Sequence, residues 1–102
     1  MKPMVLELGG KDPAIVCEDA DIDKTVAEIM SGAFSYSGQR CTAIKRVLVH
    51  ATVADALVGK LKTEVEKLTV GMPIDNPVIV PLINEGAADY VQGLITDTIA
   101  AG

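Results

Sequence analysis

A short apolar run, Val47-Leu48-Val49, gives way within a few residues to a stripe, Val53, Leu57, Leu61, Val65 and Leu68. This change of period constrains the fold more than any other feature of the chain. The stripe falls on one face of a helix, and an apolar run of this length suits a buried strand. The same alternation occurs earlier. Pro13 to Cys17 is apolar and is followed by Ile22, Val26, Ile29 and Ala33 at helical spacing. The acidic cluster Glu18, Asp19, Asp21 and Asp23 suits the N-cap and first turn of that helix, where the dipole is positive. Gly38 is placed to end it. Met4 to Leu8 has the pattern of a further short buried strand, closed by Gly9-Gly10. Past a turn-rich connector with Gly71, Pro73, Asn76 and Pro77, Asn84 caps a last helix with Ala87, Val91, Leu94 and Thr98 along its core stripe. Three or four short strands alternating with about three helices predict an α/β fold.

With 102 residues the chain holds one domain, and 3% aromatics leave the core to aliphatic side chains. A net charge of -5 lacks the positive footprint that phosphate-backbone binding needs, which argues against nucleic acid. Lys60, Lys62, Glu64 and Lys67 share the outer face of the helix opened at Thr52 and form a solvated side. No apolar run reaches the ~20 residues of a membrane span, and Glu7 interrupts the stretch where a signal peptide would need its apolar centre. Two cysteines without an export signal predict reduced thiols in the cytoplasm. Ala100-Ala101-Gly102 ends where a helix would hand over to another strand, so the chain is expected to be part of a larger domain.

Cys41 lies in Ser37-Gly38-Gln39-Arg40-Cys41-Thr42-Ala43, between a helix end and a strand, with Arg40, Lys45 and Arg46 close by in sequence. Rigid flanking elements and cations favour a presented, thiolate-prone nucleophile; a small buried hydrophobe is the plainer alternative. Glu7 interrupts Val5-Leu6-Glu7-Leu8. It is either a buried carboxylate with a raised pKa, useful as a general base, or a strand-edge Glu facing water. Cys17 ends an apolar run without basic neighbours and is expected in the core, and His50 at a strand end is expected at the surface. One His and two separated Cys make no zinc spacing, so no metal is expected. Gly9-Gly10-Lys11 lacks the spacing of a phosphate loop, and no GxGxxG is present.

Two segments together resemble the aldehyde dehydrogenase superfamily. Leu6-Glu7-Leu8-Gly9-Gly10-Lys11-Asp12 is similar to its signature around the active-site glutamate, and Phe34 to Ala43 is similar to its signature around the catalytic cysteine. Cys41 follows Glu7 by thirty-four positions, the usual separation in the family. Ala14-Ile15-Val16 and Asp19-Ala20-Asp21-Ile22-Asp23 also fit its pattern, and the resemblance covers essentially the whole chain. Within the family, Gly32 to Val47 and Ala88 to Ile95 most resemble the non-phosphorylating branch that oxidises glyceraldehyde 3-phosphate with NADP.

The resemblance implies a piece of a three-layer catalytic domain with short, mostly parallel strands, spanning residues 1–102. It implies Cys41 as nucleophile, Glu7 as the base that activates water, Arg40 as a substrate-phosphate ligand, and Leu8 and Gly9 beside an NADP or NAD cofactor. The oxyanion asparagine and glycine-rich cofactor turn are expected upstream of residue 1. The ribose-binding glutamate and oligomerisation strands are expected downstream of residue 102. The complete enzyme would be a cytoplasmic homo-oligomer acting on a small aldehyde, and the isolated piece would be inactive. Two other functions stay open: a non-catalytic α/β module acting through protein association, and a thiol hydrolase pairing Cys41 with His50.

Overall fold

The computed structural model describes residues 2–102. Strand β1 (Asp12–Val16) leads through helix α1 (Ile22–Phe34) to strand β2 (Ile44–Val49), which leads to helix α2 (Ala51–Val65); helix α3 (Glu85–Ala101) comes last. β1 and β2 pair in parallel, with Ala14 opposite Val47, Ile15 opposite Leu48 and Val16 opposite Val49. This is the expected α/β class with parallel strands.

Each helix start has a local cause. Asp21 caps α1 by accepting from the Lys24 N–H at 3.1 Å, which satisfies one of the first-turn donors that lack partners within the helix. Asn84 does the same for α3, accepting from Ala87 N–H at 2.9 Å. α2 begins at Ala51, one residue before the expected opening, and its N-cap His50 makes no side-chain cap bond. His50 Nδ1 instead lies 2.8 Å from Thr52 Oγ1, and the ring is at the surface as expected.

Val16, Val26, Ile29 and Leu57 form the core, joined by Ala14, Val47, Val49, Val53 and Leu61. One face of the two-stranded sheet is therefore covered by α1 and α2. Its other face stays open, with Ile15 73% and Leu48 57% exposed. Strands apolar on both faces are made to be covered twice, and these residues supply one of those covers.

Three expectations are corrected. Met4 to Leu8 is not a strand: it carries no regular structure, and Val5 is almost fully exposed. No described strand lies alongside it, and an extended backbone without a ladder has little to hold it. Cys17 is exposed rather than core, because it sits just past β1 where the chain turns, with its carbonyl bonded to Ala20 N–H. The α3 stripe is exposed as well, at Val91, Leu94, Ile95 and Ile99, and only Ala87 of the expected set is partly covered. Among the described residues two strands form a sheet, fewer than expected, and no described helix is long and apolar enough to cross a membrane.

The dimensions agree with this picture. The radius of gyration is 16.4 Å, against about 13 Å for a compact domain of this length. The accessible surface is 8095 Å², where a folded monomer of this mass exposes about 5,500 Å². The excess, about 2,600 Å² on one chain, matches what each partner gives to a large obligate interface, which buries about 5,000 Å² over both. The isolated chain is therefore expected to self-associate through its open sheet face and α3. Sedimentation as a compact monomer throughout the micromolar range would contradict this.

Candidate active site

Because β1 and β2 run parallel, the segments that enter them arrive at the same end of the sheet. Residues 7–11 lead into β1, and residues 40–43 lead into β2. Gly10 makes the contact between them. A Cβ on Gly10 would fall 2.2 Å from the Cys41 carbonyl oxygen, so only glycine allows this approach. Arg46 fastens the same junction by donating from Nε to the Lys11 carbonyl at 2.9 Å, with Nη2 on the same oxygen.

The thiol turn is prepared by an unusual run of backbone. After α1, a tight helical turn covers Ser35–Gly38, and Tyr36, Ser37 and Gly38 have φ of 54°, 59° and 70°. Such conformations are uncommon for Tyr and Ser and are held only by their surroundings. Ser37 Oγ accepts from the Val80 N–H at 3.0 Å, which ties the turn to the connector beyond α2. α1 ends at Phe34 with Ser35 as its C-cap, not at Gly38 as expected; Gly38 instead closes the left-handed turn that follows, and a Cβ there would press on the Ala33 carbonyl at 2.8 Å. Arg40 is half-buried with its guanidinium 5.3 Å from the Tyr36 ring centroid, within cation–π range. Its buried Nε has no hydrogen-bond partner, a costly state that an acceptor from elsewhere would relieve.

Cys41 is exposed, not the small buried hydrophobe that composition alone allowed. Its turn closes through Ala43 N–H to the Arg40 carbonyl at 3.2 Å, and Ala43 is buried where β2 begins. Glu7 is also exposed, so the water-facing alternative is the one observed, although on no strand. Its Oε1 accepts from Gly9 N–H at 2.7 Å, folding the carboxylate back over the glycine pair. Leu8 and Gly9 are exposed beside it.

Lys45 and Arg46 are not free cations beside the thiol. Arg46 belongs to Lys11, and Lys45 Nζ bonds the carbonyls of Arg40, Cys41 and Ala43. Sequence alone gave the charges but not these carbonyl partners; the only advance signal for the junction was the glycine pair. The hydrolase pairing fails, because the six residues of β2 stand between Cys41 and His50, ~20 Å of extended chain. His50 faces Thr52 and Glu18 instead. A groove of 690 Å³ between α1 and α2, lined by Asp23, Val26, Met30, Asp55 and Lys60, is remote from this chemistry and contains none of the candidate residues.

The model of the aldehyde dehydrogenase family matches residues 1–102, the whole chain. The chain belongs to the aldehyde dehydrogenase family. Among its relatives, the NADP-dependent glyceraldehyde-3-phosphate dehydrogenase of Streptococcus equinus is 59% identical over 102 residues, and that of Pisum sativum is 54% identical. All of the present chain is covered in both alignments, against 21% of each relative. The fold is also that of solved aldehyde dehydrogenases. The NADP-dependent glyceraldehyde-3-phosphate dehydrogenase from Bacillus halodurans C-125, complexed with NADP, superposes with a TM-score of 0.89 at 60% identity, over 94% of this chain and 20% of that one. Succinate-semialdehyde dehydrogenase from Burkholderia pseudomallei superposes at 0.86 with 41% identity, over 95% of this chain and 20% of that one. The chain thus spans about a fifth of the length of these relatives.

Proposed function

We propose that residues 1–102 are part of the catalytic domain of a longer enzyme that oxidises glyceraldehyde 3-phosphate to its carboxylic acid with NADP, through a thioester on Cys41. The observation that carries this is the contact of Gly10 with the Cys41 carbonyl, which brings the Glu7 segment to the thiol turn. The close relatives named for that activity support the substrate and the cofactor. The same proposal has the complete protein act as a cytoplasmic homo-oligomer, the open sheet face and α3 being covered by its other segments or by further copies.

Cys41 thiolate attacks the aldehyde carbon; a C–S bond forms and the carbonyl electron pair moves to oxygen. The Cys41 N–H is a donor for that oxyanion. Leu8 and Gly9 are exposed beside the turn, with the Glu7 carboxylate in the space a Gly9 side chain would take, so these residues would hold the nicotinamide end of the cofactor next to Glu7. When bound, NADP supplies the hydride acceptor (NAD would supply the same chemistry). The substrate carbon is then a thioester of Cys41. Glu7 takes a proton from water, the water oxygen adds to that carbon, and the thiolate leaves. Arg40 holds the substrate phosphate through parallel charge-assisted hydrogen bonds.

Arg40→Leu in the complete enzyme tests this. Each lost hydrogen bond to a charged group costs roughly 1.5–3 kcal/mol. With two such bonds lost, the kcat/KM for glyceraldehyde 3-phosphate should fall about a hundred-fold or more relative to an aldehyde without phosphate. Any general effect on the thiolate cancels in that ratio. An unchanged ratio would remove the triose phosphate from the proposal.

A further inference from the structure

The ammonium of Lys45 sits where three carbonyl oxygens converge: Arg40 at 2.9 Å, Ala43 at 3.2 Å and Cys41 at 3.3 Å. A lysine ammonium has three N–H donors and no acceptor, so this arrangement uses all of them. The peptide unit is planar and trans, so each carbonyl points opposite to the N–H of the next residue. Drawing the Arg40 and Cys41 carbonyls to one side therefore turns the N–H groups of Cys41 and Thr42 to the other. Among the described residues neither N–H finds an acceptor. Two adjacent N–H groups pointing the same way form a concavity suited to negative charge.

We infer that Lys45 is a positioning residue for the reaction: by gathering these carbonyls it aims and polarises the Cys41 and Thr42 N–H groups toward the negative charge that develops at the thiol and the substrate oxygen. This rests on Cys41 being the nucleophile. The cation stands on the carbonyl side of the turn, so it strengthens the peptide dipoles without competing with substrate for the sulfur. The Lys45 side chain also borders a hollow lined by Val91, Leu94, Ile95 and Ile99 of α3.

The test uses the complete enzyme with Cys17→Ser as the parent, and measures kcat, KM and the rate of Cys41 alkylation by iodoacetamide, mapped by peptide. In Lys45→Met the alkylation of Cys41 at neutral pH should slow about ten-fold relative to the parent. In the same variant kcat should fall about ten-fold while KM changes less than about three-fold. A lysine that merely holds the turn together would alter the melting temperature and leave the folded enzyme's alkylation rate in place. A Lys45→Met enzyme with the parent's alkylation rate and kcat would overturn the inference. Should that variant fail to fold, Lys45→Gln, which keeps an N–H donor and drops the charge, decides by the same criterion. Cys41→Ser separates the two levels. Its retention of turnover would refute the nucleophile itself, whereas its loss beside unaffected Lys45 variants would refute only the part given to Lys45.

Discussion

Glu7→Gln in the complete enzyme should lower steady-state turnover by about 10²–10⁴-fold, the usual contribution of a positioned general base. The loss should fall on one half of the reaction. Attack by Cys41 and oxidation of the substrate carbon require no proton acceptor at Glu7, so a first equivalent of reduced cofactor should still appear in a burst. The thioester would then wait for water. Acid quenching and peptide mapping should find the acyl group on the Cys41 peptide at a level matching the burst. The geometry makes this substitution informative, because the amide of Gln keeps an oxygen able to accept from Gly9 N–H, as Glu7 Oε1 does at 2.7 Å. The local loop is thus preserved while the basic oxygen is lost. A variant that turns over at the parental rate would show that some other group activates water.

Gly10→Ala should lower kcat about a hundred-fold, although alanine adds only one carbon. That carbon would lie 2.2 Å from the Cys41 carbonyl oxygen, 3.2 Å from its carbon and 3.0 Å from Asp12 Oδ1. The first two are backbone atoms and cannot swing aside as a side-chain tip can. Relief has to come from moving the thiol turn away from residues 7–11, and displacements near 1 Å cost rates on this scale. Gly59→Ala is the matched control: it adds the same carbon within α2, where no neighbour lies within 4 Å. There alanine should be neutral or stabilise by up to ~1 kcal/mol, since glycine is the poorer helix former. Equal kinetics for the two variants would mean that the Gly10 contact does not matter to catalysis.

The parts of the fold that could be read in advance are those whose cause is local. The periods of α1 and α2, the caps at Asp21 and Asn84, and the apolar runs of β1 and β2 all lie where they were expected, within a residue or two. Two of the errors share one origin. Met4 to Leu8 and the α3 stripe carry apolar patterns that state which face is to be covered, but a pattern does not say whether the cover is in the same chain; Cys17 fails for a local reason, the turn that follows β1. At the candidate site, Cys41, Arg40 and Glu7 stood out through motif and charge. Their relation through Gly10 did not, since it depends on which ends of two strands coincide. Nothing in Tyr36-Ser37 announces left-handed backbone, as neither residue favours it. The partners of Lys45 were hidden for the same reason: carbonyls carry no sequence.

The parallel pairing has a consequence for how the thiol acquires its surroundings as the chain folds. Parallel strands cannot meet through a tight hairpin, so β2 must close a long loop through α1 before any ladder bond forms. That one closure sets the register, brings Gly10 against Cys41 and places Arg46 on the Lys11 carbonyl. Until then Cys41 has neither the Gly10 contact nor the Arg46 bond beside it. The surroundings of the thiol therefore arrive in a single cooperative step along with the sheet, and partial unfolding that frees β2 removes both together.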